Sequence, residues 1–244
     1  IEVEGGNGRP LLMFLDEIPP KGRDLWVVHH TLSSAIADPD AQQDAGVICF
    51  TPGTRILTPT GPALVETLRE GDLIQTKDSG AQEVRWIGSR RMTGARLFAM
   101  PKLRPVRIRA GAFGLQRPDE ALLVSPDHRM LIKGVVARAL FNTDEVLVAA
   151  RDLVNGDSIT RDVTVREVTY VHMLLPRHEV VFANGVETES FHPASAQLAS
   201  IREQDRARLL ALMPRIRLNP GSYGAHARRN LTPSEAAILR HEAA

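Results

Sequence analysis

A ten-residue pattern occurs twice in the chain, and it restricts the fold more than any other feature. Residues 65–74 read Val-Glu-Thr-Leu-Arg-Glu-Gly-Asp-Leu-Ile, and residues 150–159 read Ala-Arg-Asp-Leu-Val-Asn-Gly-Asp-Ser-Ile. Both copies have a leucine three residues before Gly-Asp and an isoleucine two residues after the aspartate. Glycine at that position suits a left-handed turn, and the residues around it suit entry into a strand. The repeat predicts a duplicated half-domain with pseudo-twofold symmetry.

The region 49–192 consists mostly of short apolar runs with turn sequences between them. The turns are of the Gly-Pro, Ser-Gly, Lys-Gly and Asn-Gly types, which favour reversals between strands. This spacing predicts a mainly β domain with a barrel-like or horseshoe shape. The predicted strands are 55–57, 73–74, 84–87, 106–108, 122–124, 130–132, 163–165, 168–175 and 180–182.

The N-terminal segment, residues 1–48, differs in character from the β region. Strand-like runs at 11–15 and 25–28 are broken by proline and glycine, and the polar stretch 35–46 is typical of a linker. The segment is too short to make a good domain alone, so we interpret it as the tail of an upstream region. Because the chain starts at Ile1 and not at a methionine, we expect the true N-terminus and any targeting signal to be missing.

The C-terminal segment, residues 193–244, changes to a helical pattern. Residues 200–203 (Ser-Ile-Arg-Glu) and 232–235 (Thr-Pro-Ser-Glu) both have the form of a capping box, which marks the start of a helix. We therefore predict two helices, and the leucines of the first suit it to dock on the β domain. These patterns predict a C-terminal helical extension.

Composition excludes some classes of partner and leaves the compartment open. The 30 Lys and Arg residues nearly balance the 29 Asp and Glu residues, so a net charge of +1 favours neither nucleic acid nor an anionic membrane as partner. No apolar run approaches the roughly 20 residues that span a bilayer. A single cysteine forbids an internal disulfide but is compatible with a cytoplasmic or a secreted protein. The oligomeric state also stays open.

That cysteine, Cys49, opens the run Cys-Phe-Thr-Pro-Gly-Thr, and histidines follow at wide spacing. The run Ser-Pro-Asp-His ends at His128, and the run His-Glu-Val-Val-Phe-Ala-Asn-Gly begins at His178. One cysteine together with histidines elsewhere in the chain is the residue set that nucleophilic catalysis by a Cys/His pair requires. A zinc site made of this cysteine and two histidines would need the three to converge, and the spacing offers no Cys-x-x-Cys pair. We therefore predict no metal and no cofactor.

Together these runs resemble the Hint domain that hedgehog C-terminal domains share with inteins, with the closest likeness to bacterial Hint-domain proteins. Further pieces of the resemblance are Arg-Trp-Ile-Gly at 85–88 and Glu-Ser-Phe-His at 189–192, so that it covers roughly residues 47–240. It implies an all-β horseshoe fold with duplicated halves, in agreement with the repeat. It also implies that the cysteine attacks its own chain.

The resemblance assigns roles to individual residues. Cys49 matches the first-residue nucleophile, Ser125 and His128 match the ends of the Thr-x-x-His motif, and His178 matches the histidine of the C-terminal block. For His178 the catalytic and structural interpretations are evenly balanced. For His172, two residues after Tyr170, a structural role is favoured over assistance to the cysteine.

One departure limits the implied reaction. Inteins end in His-Asn followed by Cys, Ser or Thr, whereas this chain has Glu189 and Ser190 at that position. No asparagine is available there to cyclise, so the resemblance implies the hedgehog-like first step without splicing.

The first step requires attack by Cys49 on the carbonyl of Ile48, which adjacency in the chain brings to high effective concentration. We expect His128 to give a proton to the departing nitrogen and Ser125, with nearby backbone N–H groups, to stabilise the oxyanion. Water or a small thiol would then release residues 1–48 from the thioester, and the β-branched Ile48 would slow the attack.

Two other functions remain open at this stage. A degenerate Hint scaffold would bind or support other proteins without any reaction. A cysteine protease that acts on other chains is less favoured, because the nucleophile adjoins its own upstream segment.

Overall fold

The computed structural model describes residues 2–4, 10–12, 48–195, 198 and 201–242. In the N-terminal segment, strands β1 (Glu2–Glu4) and β2 (Pro10–Leu12) pair antiparallel. Strand β2 overlaps the start of the predicted run 11–15. The predicted strand 25–28 and the linker 35–46 lie outside the described residues.

From residue 48 onward the chain is predominantly β. The strands are β3 (Arg55–Thr58), β4 (Gly61–Leu64), β5 (Leu73–Gln75), β6 (Ala81–Glu83), β7 (Trp86–Met92), β8 (Val106–Ile108), β9 (Leu122–Val124), β10 (Arg129–Lys133), β11 (Glu145–Ala149), β12 (Ile159–Arg161), β13 (Val168–Leu174), β14 (Val180–Ala183), β15 (Val186–Glu189) and β16 (Arg229–Asn230). The helices are α1 (Gly94–Ala99), α2 (Val135–Phe141), α3 (Glu203–Leu212) and α4 (Pro233–Glu242). The mainly β fold that the sequence predicts is confirmed, and the two short helices inside the β region were not foreseen.

The sequence repeat corresponds to two structural halves. In the first half the hairpin β3–β4 leads through a 3-10 turn to β5, and in the second β10–β11 leads through a 3-10 turn to β12. The repeated glycines, Gly71 and Gly156, have φ angles of +97° and +81°, which only glycine adopts easily. Strands β7 and β13, which follow the two repeats, pair antiparallel with each other along seven residues. The duplicated β architecture is therefore present in the structure.

One sheet of seven strands joins the two halves, in the order β16-β11-β10-β15-β14-β3-β4. Strands β14 and β15 form a hairpin whose two-residue turn is Asn184-Gly185, both with positive φ, as an Asn-Gly sequence predicts. The smaller sheets are β12-β8-β9, β13-β7 and β5-β6, and each contributes side chains to the main core. That core contains the repeat residues Leu68, Ile74 and Ile159.

The predicted strand 163–165 is wrong. The carboxylate of Asp162 accepts hydrogen bonds from the backbone N–H groups of Thr164 and Val165 and from the Thr164 hydroxyl, at 2.7 to 3.1 Å. A side chain that binds the next backbone amides offers an alternative to strand pairing, and here it folds the segment into a turn.

The two predicted capping boxes have different outcomes. At α4 the hydroxyl of Thr232 accepts from the N–H of Glu235, and the Glu235 carboxylate accepts from the N–H of Thr232, so this capping box is confirmed. Helix α3 begins at Glu203 with Arg202 as its N-cap and no side-chain cap. Ser200, the expected cap, lies outside the described residues, and the helix begins two residues later than a cap at Ser200 would give.

Helix α3 and the turns after it dock on the β domain through an apolar cluster, as predicted. Leu209 and Ile216 are completely buried against Trp86, and the indole Nε1–H of Trp86 donates to the backbone oxygen of Asp205 at 3.0 Å. The extension also supplies the edge strand β16, which pairs parallel with β11. No helix in the parts of the chain that the structure describes is long and apolar enough to cross a membrane.

We expect Leu209→Ala to lower the free energy of unfolding by about 2–5 kcal/mol, because it leaves a cavity in a fully buried cluster. Leu212 lies on the same helix but is 42% exposed, so Leu212→Ala should change stability by no more than about 0.5 kcal/mol. Urea unfolding of both variants, in a chain that also carries Cys49→Ala to keep it intact, measures the difference. Equal losses in the two variants would contradict the docking described here.

Candidate active site

Strand pairing at Phe50 brings the candidate site residues together. Phe50 forms an isolated antiparallel bridge to the last residue of β9 and another to the fourth residue of β13. Cys49, one residue earlier, therefore lies opposite Ser125, which follows β9, and opposite His172, the fifth residue of β13. The register of two pairings thus assembles a cysteine, a serine and a histidine that are distant in sequence.

Ser125 holds the backbone of Cys49 on both sides. Its Oγ accepts a hydrogen bond from the Cys49 N–H at 2.9 Å, and its own N–H donates to the Cys49 carbonyl at 3.1 Å. The nitrogen of the Ile48-Cys49 bond is thus fixed against a hydroxyl. This differs from the expected role of Ser125 at the oxyanion, because its hydroxyl contacts the nitrogen of the bond.

His172 contacts both partners of the expected attack. Its Nδ1 lies 2.9 Å from the carbonyl oxygen of Ile48, and its Nδ1 and Nε2 lie 3.3 and 3.5 Å from Sγ of Cys49. A carbonyl oxygen only accepts, so Nδ1 carries the proton and donates it toward Ile48, which leaves Nε2 as the basic nitrogen beside the thiol. The sequence favoured a structural role for His172, and no local motif marks it.

Burial keeps this cysteine and histidine neutral. Burial raises the pKa of the Cys49 thiol well above its usual range; a hydrogen bond from Ser125 lowers it and the charge of Asp127 raises it further. Burial also lowers the pKa of His172 to about 4, although the hydrogen bond to Ile48 opposes this. A free thiolate is therefore unfavourable at neutral pH, and the thiol loses its proton only to a partner within reach.

His128 follows Ser125 closely in the chain, but its side chain makes no hydrogen bond to Cys49, Ser125 or His172. Its backbone N–H donates to the Ser125 carbonyl, and its ring packs edge-on against Phe50 with 4.6 Å between ring centroids. Nε2 lies 2.6 Å from the Thr188 hydroxyl, while Nδ1 is buried and has no hydrogen-bond partner among the described residues. Burial is the main cause that lowers its pKa to about 4. The preceding Asp127 forms an ion pair with Arg151.

His178 belongs to a second buried group. Its Nδ1 accepts from the N–H of Ala227, and its Nε2 lies 3.1 Å from the Ser190 carbonyl and 3.2 Å from the Glu189 carboxylate. Its ring packs edge-on against those of His192 and His226. The structure thus places His178 with Glu189 and Ser190, and it does not bring the side chain into hydrogen-bonding contact with Cys49.

The two residues that flank the Ile48-Cys49 bond are covered by different parts of the chain. Ile48 is 1% exposed and lies in the cluster that Leu209 and Ile216 of the extension complete. Cys49 is completely buried in another cluster, with Leu97 of α1 and Tyr170 of β13. Water and thiols therefore reach the bond only when one of these covers moves.

Comparison with known families identifies the architecture. The family model of the Hint domain matches residues 48–195, well over half of the chain. The chain belongs to the Hint domain family. The Hint match ends before helix α3, so the helical extension that covers Ile48 lies beyond it.

Solved structures similar to this Hint chain are inteins and an intein-like domain. The bacterial intein-like domain from Clostridium thermocellum has 15% identity and a TM-score of 0.42, and the likeness covers 59% of this chain and 99% of that one. The MchDnaB-1 intein has 18% identity and a TM-score of 0.38, with 58% and 99% covered. The gp41-1 intein has 14% identity and a TM-score of 0.35, with 57% and 96% covered. No curated protein matches the chain.

The described residues contain no group of three or more His, Cys, Asp and Glu side chains that could hold a metal ion. The rings of His178, His192 and His226 pack together, but the hydrogen bonds of His178 explain why they do not form a metal site. One ring nitrogen of His178 accepts from a backbone amide and the other faces a backbone carbonyl. Neither nitrogen is free to bind a metal without breaking these bonds.

We expect the fold to lose stability as the pH falls from about 6.5 to about 4, because His128 and His172 have pKa values lowered from 6.5 to about 4. A lowered histidine pKa means that the unfolded chain binds more protons in this window. Each histidine therefore contributes stability above pH 6.5 that is lost toward pH 4, by up to about 1.4 kcal/mol per pH unit.

Urea unfolding of the Cys49→Ala chain across this pH range measures the slope. A chain that also carries His128→Gln should show a shallower slope, because one of the groups that bind protons in this pH range no longer titrates. Identical slopes with and without His128 would contradict the buried neutral state.

Proposed function

We propose that this Hint domain shifts the acyl group of Ile48 from the nitrogen to the sulfur of Cys49, and that water or a small thiol then releases residues 1–48. The observation that carries the proposal is the position of His172, with Nδ1 2.9 Å from the carbonyl oxygen of Ile48 and both ring nitrogens within 3.5 Å of Sγ. A buried histidine with only a structural role could be satisfied by any hydrogen-bond partners. The partners of His172 are instead the thiol and the carbonyl that would react with each other.

The attack begins with the neutral thiol. Nε2 of His172 takes the thiol proton as Sγ adds to the Ile48 carbonyl carbon, so that no free thiolate forms in the buried site. The Nδ1–H of the same ring donates to the carbonyl oxygen as it gains negative charge, which is the role of an oxyanion hole. One side chain thus supplies the proton acceptor and the oxyanion donor.

The nitrogen of Cys49 must then leave as an amine. The bond between the Ile48 carbonyl carbon and this nitrogen breaks, the thioester forms, and the nitrogen gains the one proton that the thiol lost. We assign the delivery of that proton to His128, and Ser125 holds the nitrogen in place through the 2.9 Å hydrogen bond to its N–H. Thioester formation is reversible, so release requires an acceptor that attacks the Ile48 acyl carbon.

The domain division is part of the proposal. Residues 1–48 are the segment released, residues 49–192 form the reacting β domain, and residues 193–244 form the extension that covers Ile48. The substrate is therefore the chain's own N-terminal segment, and no cofactor or metal takes part in the reaction.

The second candidate function is a Hint scaffold that does not react. The complete burial of Cys49 and the 1% exposure of Ile48 favour it, because an acyl acceptor has no open path to the bond. Rates of cleavage with and without a thiol separate the two functions.

We expect dithiothreitol to accelerate cleavage between Ile48 and Cys49, because a thiol intercepts the thioester. Cys49→Ala should abolish cleavage, and His172→Gln and His128→Ala should each slow it by about 10² or more, the scale of a lost proton-transfer group. Intact mass of the purified chain over time, with and without the thiol, measures all three.

As a control, Leu212→Ala changes an exposed side chain of α3 and should leave the rate of cleavage unaltered. If the full-length mass persists after long incubation with thiol at neutral pH, the scaffold function replaces the proposed one. Cleavage retained in Cys49→Ala would exclude this cysteine as the nucleophile.

No break should occur between residues 189 and 191. Ser190 stands where the family has an asparagine that cyclises, and its hydroxyl already accepts from the N–H of Glu179 at 3.0 Å. The serine side chain has no amide nitrogen to attack its own carbonyl. Peptide mapping of the incubated chain should find residues 193–244 attached to the β domain. A fragment that begins at Phe191 would contradict this and would indicate that the chain reacts as an intein does.

A further inference from the structure

Thr188 on β15 is a buried hydroxyl that contacts His128, and no motif in the sequence marks it. Its side chain is completely buried. Its Oγ1 lies 2.7 Å from the backbone oxygen of Arg129, to which it donates, and 2.6 Å from Nε2 of His128. A second possible acceptor, Sδ of Met130, lies farther away at 3.6 Å, so the Arg129 oxygen is the better acceptor for the one proton of the Thr188 hydroxyl.

This arrangement determines which nitrogen of His128 carries hydrogen. A carbonyl oxygen only accepts, so the Thr188 hydroxyl must point its proton at Arg129. The hydroxyl oxygen then accepts from His128, which requires a proton on Nε2. In the neutral ring Nδ1 consequently carries no proton and has a free lone pair. It is also the nitrogen that lacks a hydrogen-bond partner among the described residues.

We propose that Thr188 is a positioning residue that holds His128 in the Nε2–H tautomer and so keeps Nδ1 free to accept a proton. This inference rests on the proposed acyl shift for its functional meaning. In the resting state His128 has no proton at Nδ1 to give to the nitrogen of Cys49. It gains one only after the thiol has lost its proton.

The order of the reaction follows from this. In the proposed reaction Nδ1 of His128 must gain a proton before it can give one, and the proton that it carries to the nitrogen of Cys49 as the carbon–nitrogen bond breaks is the one that the thiol gave up to Nε2 of His172. One proton leaves the sulfur and one arrives at the nitrogen, so the step balances without another reactant. Protonation of the nitrogen before the attack is prevented, because Nδ1 begins without a proton.

Matched variants at this position separate the hydroxyl from the side-chain volume. Thr188→Val keeps the shape and removes the hydroxyl, and Thr188→Ser keeps the hydroxyl and removes a methyl group. Nitrogen-15 NMR of the histidine rings reports the tautomer directly, in full-length chains that carry Cys49→Ala so that they stay intact. The rate of thiol-induced cleavage is measured in the same variants with Cys49 present.

We expect His128 to show the Nε2–H tautomer in the parent chain and in Thr188→Ser, and to lose this preference in Thr188→Val. Cleavage should slow by about 10-fold or more in Thr188→Val and recover in Thr188→Ser. A parent chain with the proton on Nδ1, or a Thr188→Val chain with unchanged tautomer and rate, would overturn the inference.

The NMR arm is independent of cleavage. If the parent chain does not cleave, the proposed function fails, while the spectra still decide whether Thr188 sets the tautomer. If Thr188→Val does not fold, the parent and Thr188→Ser spectra decide the tautomer, and an Nδ1–H signal in either would reject it.

Discussion

The pairing of Phe50 with two strands is the constraint on which the rest of the site depends. Its N–H and carbonyl exchange hydrogen bonds of 3.0 and 2.9 Å with Val171, and its bridge to β9 fixes the other side. With both edges of this residue occupied, Cys49 has one position relative to Ser125 and His172. A slip of one residue in either pairing would turn His172 or Ser125 away from the thiol, since neighbouring side chains on a strand point to opposite faces.

Burial then sets the chemistry of the site. Desolvation penalises every charged form, so the thiol and the imidazole are both most stable when neutral. In the proposed acyl shift this neutral pair exchanges a proton during the attack, which costs less than forming an isolated thiolate. The same burial separates the bond from water, and the extension beyond the Hint match contributes to the cover over Ile48 through Leu209 and Ile216.

Local sequence predicted those elements whose cause is local. The Asn184-Gly185 hairpin and the Thr232 capping box depend on residues within four positions of each other, and both are present. The duplicated halves were also predictable, because the repeated glycines require positive φ wherever they lie. The strand expected at 163–165 failed because Asp162, just before it, binds the backbone amides that a neighbouring strand would have used.

The sequence by itself determined the Hint architecture and singled out Cys49, Ser125 and His128. Each of these residues stands in a short sequence motif that can be recognised without knowledge of the tertiary structure. Only the tertiary structure decided that His172 contacts the Ile48 carbonyl, and that His178 joins the Glu189 and Ser190 group instead. His172 lies 123 positions from Cys49, and Thr188 lies 60 positions from His128. The register of strands across such separations depends on the packing of the whole core and not on any local preference, so no local pattern reveals these contacts.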